Sequence, residues 1–252
     1  MALVLNLEKS AQTFRLSLEK AGIGIPRIDV GFGMDVSGSF EDEHEDGTTE
    51  LLLTRLVPWG LTFDPDRKLD VFTFSNGAGS VQNVGPMDAG NYQGFVRSRV
   101  IGVPGYNGGT GYSHVIEAFL RHFGWIDTVV KKAGFFGSLL GRKDEVVSGE
   151  KKPSLVIIGT DGDNNEPGDK ERTMRVLRES EARRDQVYFL FLGISNQGST
   201  FPFLETLGDK FGNTGFVPIP NLRKFNALDD EALNAYLIKD ELRDWLASLK
   251  RS

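Results

Sequence analysis

The sequence of 252 residues contains no cysteine. Disulfide-stabilised scaffolds, thiolate zinc sites and cysteine nucleophiles are therefore excluded, and a reducing compartment is permitted. Histidine is also scarce. His44 lies in a polar run, and His114 and His122 lie on or near one predicted helix, without a partner at zinc-site spacing. We expect all three histidines to be structural or surface residues.

The sequence also has no long basic run, and its formal net charge is −6. Nucleic-acid-binding proteins usually carry a basic stripe that offsets phosphate charge, so we expect no nucleic-acid partner. No segment approaches the ~20 apolar residues that span a bilayer. The apolar stretch at the N-terminus is interrupted too soon for a secretory signal. We therefore expect a cytoplasmic protein without a membrane span.

Strands and helices alternate along the sequence, which has the 39% hydrophobic residues of an ordinary globular protein. The pattern predicts an α/β fold: a doubly wound, mostly parallel sheet with one antiparallel edge strand and helices on both faces. The predicted strands are 28–34, 68–74, 80–84, 154–160, 187–194 and 215–219. The turn-rich segment between 74 and 80 predicts that the second and third strands form the antiparallel hairpin.

Helices are predicted at about 7–21, 47–63, 91–100, 113–127, 168–184, 200–211 and 229–250. Residues 1–25 form an N-terminal segment, helical or extended, and we favour the helix. Residues 26–252 form the domain. An inserted loop at about 131–152 carries Phe135, Phe136, Leu139 and Leu140, which either fill a groove, as we favour, or form an exposed patch for a partner. Trp59, Trp125 and Trp245 are predicted on helical faces in the core.

Three polar clusters follow predicted strands or precede a helix, where such sheets bind ligands. They are Asp35-Val-Ser-Gly-Ser39, Gly108-Gly-Thr-Gly-Tyr112 and Thr160-Asp-Gly-Asp163. The candidate metal ligands are Asp35, Ser37, Ser39, Thr110 and Asp161. Two carboxylates and three hydroxyls suit Mg²⁺, Mn²⁺ or Ca²⁺ better than zinc or copper. Because the hydroxyls are neutral, the metal stays electrophilic and can accept a Glu or Asp carboxylate from another molecule.

These motifs resemble the von Willebrand factor A domain and its metal-ion-dependent adhesion site. Asp35-x-Ser37-x-Ser39, Thr110 in a glycine-rich loop and Asp161 in Thr-Asp-Gly agree in order and spacing. The resemblance implies that the serines contact the metal directly, the threonine directly or through water, and the aspartates often through water. Phe40 departs from the methionine of many relatives, at a position that is not a ligand.

The chain also resembles the bacterial and phage branch of this fold found in tellurium-resistance proteins. The similar segments are Leu16-Ser-Leu-Glu-Lys20, Thr160-Asp-Gly-Asp-Asn164 and Asp240-Glu-Leu-Arg-Asp-Trp245. This resemblance implies a stress-response or tellurium-resistance type of system.

Each motif also has a structural interpretation. Asp35 and Ser37 could cap a helix, and Asp163 and Asn164 are expected to form a turn. The acidic run 41–46 is expected to be a solvated helix N-terminus rather than a second metal site. The glycines at 31 and 33 lack the dinucleotide-binding pattern.

Together, the candidate metal ligands and the resemblance to the von Willebrand factor A domain imply a non-enzymatic recognition module, in which the metal ion binds a carboxylate of a partner protein. The alternative is a Mg²⁺-dependent hydrolase acting on a phosphorylated or nucleotide ligand, although no general base or phosphate-binding cation is evident beside the motifs. In a third possibility, the metal only braces the loops of a scaffold.

Overall fold

A computed structural model describes residues 6–130, 145–195 and 199–249. The strands are β1 (Asp29–Asp35), β2 (Leu69–Phe74), β3 (Gln82–Met87), β4 (Thr128–Val130), β5 (Glu145–Val147), β6 (Ser154–Thr160), β7 (Val187–Ile194) and β8 (Thr214–Ile219). The helices are α1 (Leu7–Lys20), α2 (Glu41–Glu45), α3 (Thr48–Phe63), α4 (Phe95–Arg99), α5 (Ser113–His122), α6 (Asp169–Arg183), α7 (Pro202–Lys210), α8 (Leu222–Asn226), α9 (Asp230–Leu237) and α10 (Asp240–Ser248). Short 3₁₀ turns cover Gly38–Phe40 and Ala78–Ser80.

Six strands form one sheet in the order β3-β2-β1-β6-β7-β8. All pairs are parallel except β2 with β3, which is antiparallel at the sheet edge. The predicted fold class is therefore confirmed. The carboxyl ends of the parallel strands form what we call the upper edge of the sheet, and their amino ends form the lower edge. Because β1 pairs with both β2 and β6, its carboxyl end lies near the middle of the upper edge, where the predicted metal residues begin.

Both faces of the sheet are covered by helices, which explains the continuous apolar sequence of β6. Leu155 and Ile157 belong to the core cluster that contains α1 and α3 side chains, whereas Val156 and Ile158 belong to the cluster that contains α5 side chains. Alternate residues of one buried strand thus point into two different cores. No helix among the described residues is long and apolar enough to cross a membrane.

Helix α1 forms as predicted, in preference to the extended alternative. The side chain of Asn6 caps its first turn by accepting from the Lys9 amide. The Phe14 ring stacks on Trp59 of α3, with 4.6 Å between ring centroids, and also meets Phe63 edge-on. The helical spacing of the apolar residues therefore places α1 in the same core as the sheet.

The predicted C-terminal helix at 229–250 is wrong in one respect, because two helices, α9 and α10, occupy this region. Ile238 and Lys239 break it, and Lys239 is extended at the N-cap of α10. The break lets the two helices pack in different places: Asn234 of α9 accepts from the Trp59 indole, while Trp245 of α10 meets Tyr188 of β7. Helix α8 was also not predicted.

Three other boundaries differ from the prediction. The edge strand β3 covers 82–87 rather than 80–84, since Ser80 is held in a turn by bonds with Ser75 and Gly77. The helix predicted at 91–100 is shorter than expected and covers only Phe95–Arg99, as α4. Helix α5 ends at His122 rather than 127, so Trp125 lies after the helix, where its indole donates to the Lys152 carbonyl.

The predicted loop at 131–152 is partly structured. Its residues 145–147 form β5, which pairs with β4 in a separate antiparallel ribbon. The apolar residues Phe135, Phe136, Leu139 and Leu140 lie outside the described residues.

Candidate metal centre

Asp35 and Asp161 come together because their strands are neighbours in the sheet. Asp35 ends β1, and Asp161 directly follows β6, which lies parallel to β1. The Thr160 hydroxyl donates to Asp35 Oδ2 at 2.5 Å, and the Ser37 amide donates to Asp35 Oδ1 at 2.8 Å. Adjacent parallel strands thus bring the two predicted carboxylates to one edge.

The hydroxyls of Ser37 and Ser39 face Asp161. Ser39 Oγ donates to Asp161 Oδ1 at 2.9 Å, and Ser37 Oγ lies 3.4 Å from the same oxygen. The two serine oxygens are 3.3 Å apart. Ser37 makes no side-chain capping bond at the 3₁₀ turn that follows, so the interpretation of this serine as an ordinary helix cap is wrong. Its side chain turns toward the carboxylate instead.

Thr110 reaches the same place on a separate loop. The Gly38 amide donates to the Gly108 carbonyl at 3.0 Å, and the Asn107 amide donates to the Val36 carbonyl at 2.8 Å. A Cβ atom placed on Gly162 would lie 3.2 Å from Thr110 Oγ1 and 3.8 Å from Ser39 Oγ. The two hydroxyls therefore flank Gly162, and all five predicted residues come together.

The Thr110 loop is held by side chains that sequence reasoning missed. The side-chain Oδ1 of Asn165 accepts from the backbone amide of Thr110 at 2.8 Å, and the backbone amide of Asn165 donates to the Thr110 carbonyl at 3.0 Å. Asn76 Oδ1 accepts from the Gly109 amide at 2.7 Å. Since Asn165 follows the Asp161 turn, it fixes two parts of the candidate site relative to each other.

Burial raises the pKa of both carboxyls. The pKa of Asp35, which has no exposed surface, rises to about 7. Burial is the main cause, and the hydrogen bonds from Thr160 and Ser37 offset it in part. The pKa of Asp161 rises to about 6, mainly through burial and also through the negative charge of Glu43. In the part of the chain that the structure describes, no lysine or arginine forms an ion pair with either carboxylate.

This donor set fits a hard divalent cation. The carboxylates and hydroxyls offer only oxygen atoms, and among the described residues no lysine or arginine pairs with the buried Asp35 or the half-buried Asp161, so a bound cation would balance their charge. Ser39 is exposed at the rim, whereas Ser37 and Thr110 are buried. A bound ion would thus be held from below and open to solvent on the side of Ser39.

His44 has an unpredicted position directly under this site. Its Nε2 lies 2.9 Å from the Asp35 carbonyl oxygen and its Nδ1 lies 2.9 Å from Thr49 Oγ1. Burial lowers the pKa of His44 to about 4, so the ring is neutral at pH 7. The prediction of a structural histidine is confirmed here. The surrounding acidic run forms the short helix α2.

A second group, His114, Glu166 and Asp169, brings its candidate ligand atoms within 4.8 Å of one another. The Asp169 carboxylate, however, already accepts from Tyr112, Ser113, Asn164 and Thr173. The guanidinium of Arg172 also lies 3.5 Å from His114 Nε2. These contacts favour a hydrogen-bonded brace for the first turn of α5 over a metal site.

The remaining singled-out residues have structural contacts. Asn164 donates to Asp169, which adds a buried hydrogen bond to the turn role predicted for it. Asp163 forms an ion pair with Lys170 at 2.9 Å, and His122 Nε2 lies 2.8 Å from Asp70 Oδ2.

Comparison with known proteins gives a distant relative and several similar folds. No protein-family model matches the chain. "Uncharacterized protein YcbR" of Bacillus subtilis (strain 168) is 24% identical over 251 residues, which cover 97% of this chain and 88% of the relative.

Among solved structures, proximal thread matrix protein 1 from the mussel byssus matches at a TM-score of 0.52 with 16% identity, over 83% of this chain and 47% of its own. A von Willebrand factor type A protein from Catenulispora acidiphila matches at 0.47 with 13% identity, over 90% of this chain and 43% of its own. The chain thus spans about half the length of these structures. The first likeness supports the α/β fold alone, and the second is too low to carry an argument.

Proposed function

We propose that this chain is a metal-ion-dependent recognition module that binds an acidic group of a partner protein through a divalent cation, with Mg²⁺ as the first candidate. Ser37, Ser39 and Thr110 would offer hydroxyls to the ion, and Asp35 and Asp161 would balance its charge, directly or through water. The observation that carries the proposal is the convergence of these five oxygen-bearing side chains from three separate loops.

The bound ion would supply an electrophilic centre for a carboxylate. The protein's own residues supply the arrangement: Thr160 and the Ser37 amide orient Asp35, and Asn165 holds the Thr110 loop. The exposed position of Ser39 leaves one side of the centre accessible to a partner. A tellurium-resistance or stress-response setting, and a cytoplasmic location, belong to this proposal through the sequence resemblance alone.

The alternative is a Mg²⁺-dependent hydrolase for a phosphorylated or nucleotide ligand. Such an enzyme needs cationic groups for phosphate charge and an accessible general base. Of the described residues that line the cavity beside the site, none is a lysine or arginine. Asp35 has no exposed surface. These observations favour recognition over hydrolysis, and we propose a non-enzymatic role.

Titration calorimetry of the chelator-stripped chain with Mg²⁺, Mn²⁺ and Ca²⁺ tests the proposal. We expect saturable binding of one ion, and its loss in the Ser37→Ala/Ser39→Ala double variant. Ser98→Ala is the matched control, because the Ser98 hydroxyl donates to the Gly94 and Phe95 carbonyls at the start of α4, away from the candidate site. Thermal unfolding of each variant establishes that it is folded.

No binding of any of the three ions by the parent chain would contradict the proposal. Complete unfolding of the chelator-stripped parent would favour the scaffold role. Turnover of generic phosphoesters by the metal-loaded parent, lost in the double variant, would favour the hydrolase.

A further inference from the structure

An open groove of about 640 Å³ lies between α5 and the edge strand β3, on the face of the sheet opposite to α1. It forms because α5 packs on β2, where Phe119 meets Phe72 at 4.6 Å between ring centroids, and leaves β3 partly exposed. His114, Ala118 and Arg121 recur at helical spacing and form the α5 wall of the groove. Its volume lies within the roughly 300–1,000 Å³ of small-molecule sites.

The groove carries an excess of positive charge along α5. Arg121 and Arg172 both line it, and Glu117 is the one acid among the described residues of its wall. Both oxygens of Glu117 accept from Arg172 at 3.0 Å, whereas Arg121 lies 3.4 and 3.5 Å from a single oxygen of Glu117. The Arg121 side chain is also 44% exposed, so its pairing with Glu117 is weak. Glu117 is therefore held by Arg172, and the charge of Arg121 is available to an anion in the groove.

The wall beside these arginines offers accessible apolar and flat surfaces. Ala78 is exposed, and Val81 and Ala118 are half-buried. The His122 side chain is 32% exposed in the same groove, and its ring is fixed because Nε2 lies 2.8 Å from Asp70 Oδ2. Aromatic rings bury a large apolar area and pack favourably against other rings. The wall therefore suits a ligand with a flat apolar body.

We propose that this groove binds a small aromatic acid, with the carboxylate or phosphate group of the ligand on the Arg121 guanidinium and its ring on the wall between α5 and β3. A planar guanidinium can donate two parallel hydrogen bonds to either anion. The groove shares none of its lining residues with the five candidate metal ligands, so the inference goes beyond the proposed function and does not depend on it. The formal net charge of −6 disfavours a nucleic acid as the source of the anion.

Chemical-shift titration of the isotope-labelled full chain with phenyl phosphate, benzoate and inorganic phosphate tests this inference. Chelator is present throughout, so that no divalent ion binds a probe at the candidate metal centre. We expect saturable shifts of α5 and β3 amides with phenyl phosphate or benzoate, and the tighter of the two distinguishes a phosphate from a carboxylate ligand. Arg121→Gln should weaken this binding about 10-fold or more. Inorganic phosphate lacks the ring and should bind several-fold more weakly than phenyl phosphate.

Arg15→Gln is the matched control, because it removes an exposed arginine of α1, which packs on the opposite face of the sheet. This variant should bind the probes as the parent chain does, and thermal unfolding establishes that both variants are folded. Unchanged binding in Arg121→Gln would contradict the role of Arg121. Equal affinities for inorganic and phenyl phosphate would contradict an aromatic ligand. If none of the three probes binds the parent chain, the inference is wrong, and the proposed function stands or fails separately by its own metal titration.

Discussion

Buried or half-buried acids occur at both ends of the parallel strands of the central sheet, and their surroundings differ. At the lower edge, Asp29 and Asp70 have cations beside them: Lys152 lies 3.3 Å from Asp29, and Lys68 lies 3.4 Å from Asp70. At the upper edge, no ion pair is formed by Asp35 or Asp161 within residues 6–130, 145–195 and 199–249. Asp29 and Asp70 thus have a cation from the chain itself beside them, whereas Asp35 and Asp161 lie where we propose that a bound cation supplies the charge.

The pKa directions of Asp70 and Asp35 follow the same contrast, whereas burial raises the pKa of Asp64, which accepts from the Val30 amide at the lower edge, to about 6. At the lower edge, burial alone would raise the pKa of Asp70, but the hydrogen bond from His122 and the charges of His122 and Lys68 hold it below its usual value. At the upper edge, burial prevails, and the pKa of Asp35 rises to about 7. The difference between Asp70 and Asp35 follows from the cations beside Asp70.

The largest expected effect is on the pH dependence of stability without metal. The folded-state pKa values of Asp35 and Asp161, about 7 and about 6, lie above their unfolded value of 3.8. Their contribution to stability is therefore fully present below pH 3.8 and is lost as the pH rises through 6 and 7. In chelator, the free energy of unfolding should fall in this range, by up to about 1.4 kcal/mol per pH unit for each group.

Urea unfolding between pH 4 and pH 8 measures this fall. Saturating Mg²⁺ should reduce it, because the bound ion favours ionised carboxyls. Asp64, whose pKa burial raises to about 6, contributes the same fall with and without metal. If the free energy of unfolding falls equally with pH in chelator and in Mg²⁺, the proposed difference between the two edges is wrong.

A smaller effect is expected from Asp70→Asn at the lower edge. The substitution removes the carboxylate that meets Lys68 and His122, so the free energy of unfolding at pH 7 should fall by about 2 kcal/mol. Asp66→Asn is the matched control. Asp66 is 65% exposed and 3.7 Å from Lys68, and its loss should cost less than ~0.5 kcal/mol.

The same two variants sharpen the contrast between the edges. The stabilisation produced by Mg²⁺ should be unchanged in both, since neither residue belongs to the upper edge. Loss of the magnesium effect in a folded Asp70→Asn variant would show that the edges are not independent.

The smallest effect is expected from Asn165→Ala. This change removes the hydrogen bond that the Thr110 amide donates to Asn165 Oδ1, whereas the backbone bond from the Asn165 amide to the Thr110 carbonyl remains. Loss of such outer support costs roughly 10-fold in metal affinity. Calorimetry with Mg²⁺ measures it. Asn91→Ala, in an exposed turn that bonds to Pro86, serves as the control. If the two folded variants bind Mg²⁺ with equal affinity, Asn165 does not support the candidate site.

The sequence predicted the fold and the positions of the candidate ligands well, because both depend on local pattern. Apolar runs marked β6 and β7, and the short motifs at Asp35 and Asp161 follow directly from the ends of their strands. That these residues bind a metal stays a prediction.

Other features depend on tertiary contacts and left no readable signal. Asn165 clamps a loop 55 residues away in sequence, and Asp169 braces α5 from the start of a different helix. The break before α10 depends on where the two C-terminal helices find partners, which periodicity alone does not encode. In the sequence, the nearness of Asn165 and Asp169 to Asp161 is the one local feature that connects these two residues with the candidate site.

The central claim is that a divalent cation supplies the charge missing from the upper edge. Calorimetric titration with Mg²⁺ at pH 7, repeated in buffers of different ionisation enthalpy, counts the protons released on binding. Because the pKa of Asp35 is about 7 in the metal-free chain, binding should release about half a proton or more per ion. The release should disappear above pH 8.5. Saturable Mg²⁺ binding without proton release at pH 7, or no binding at all, would contradict the account.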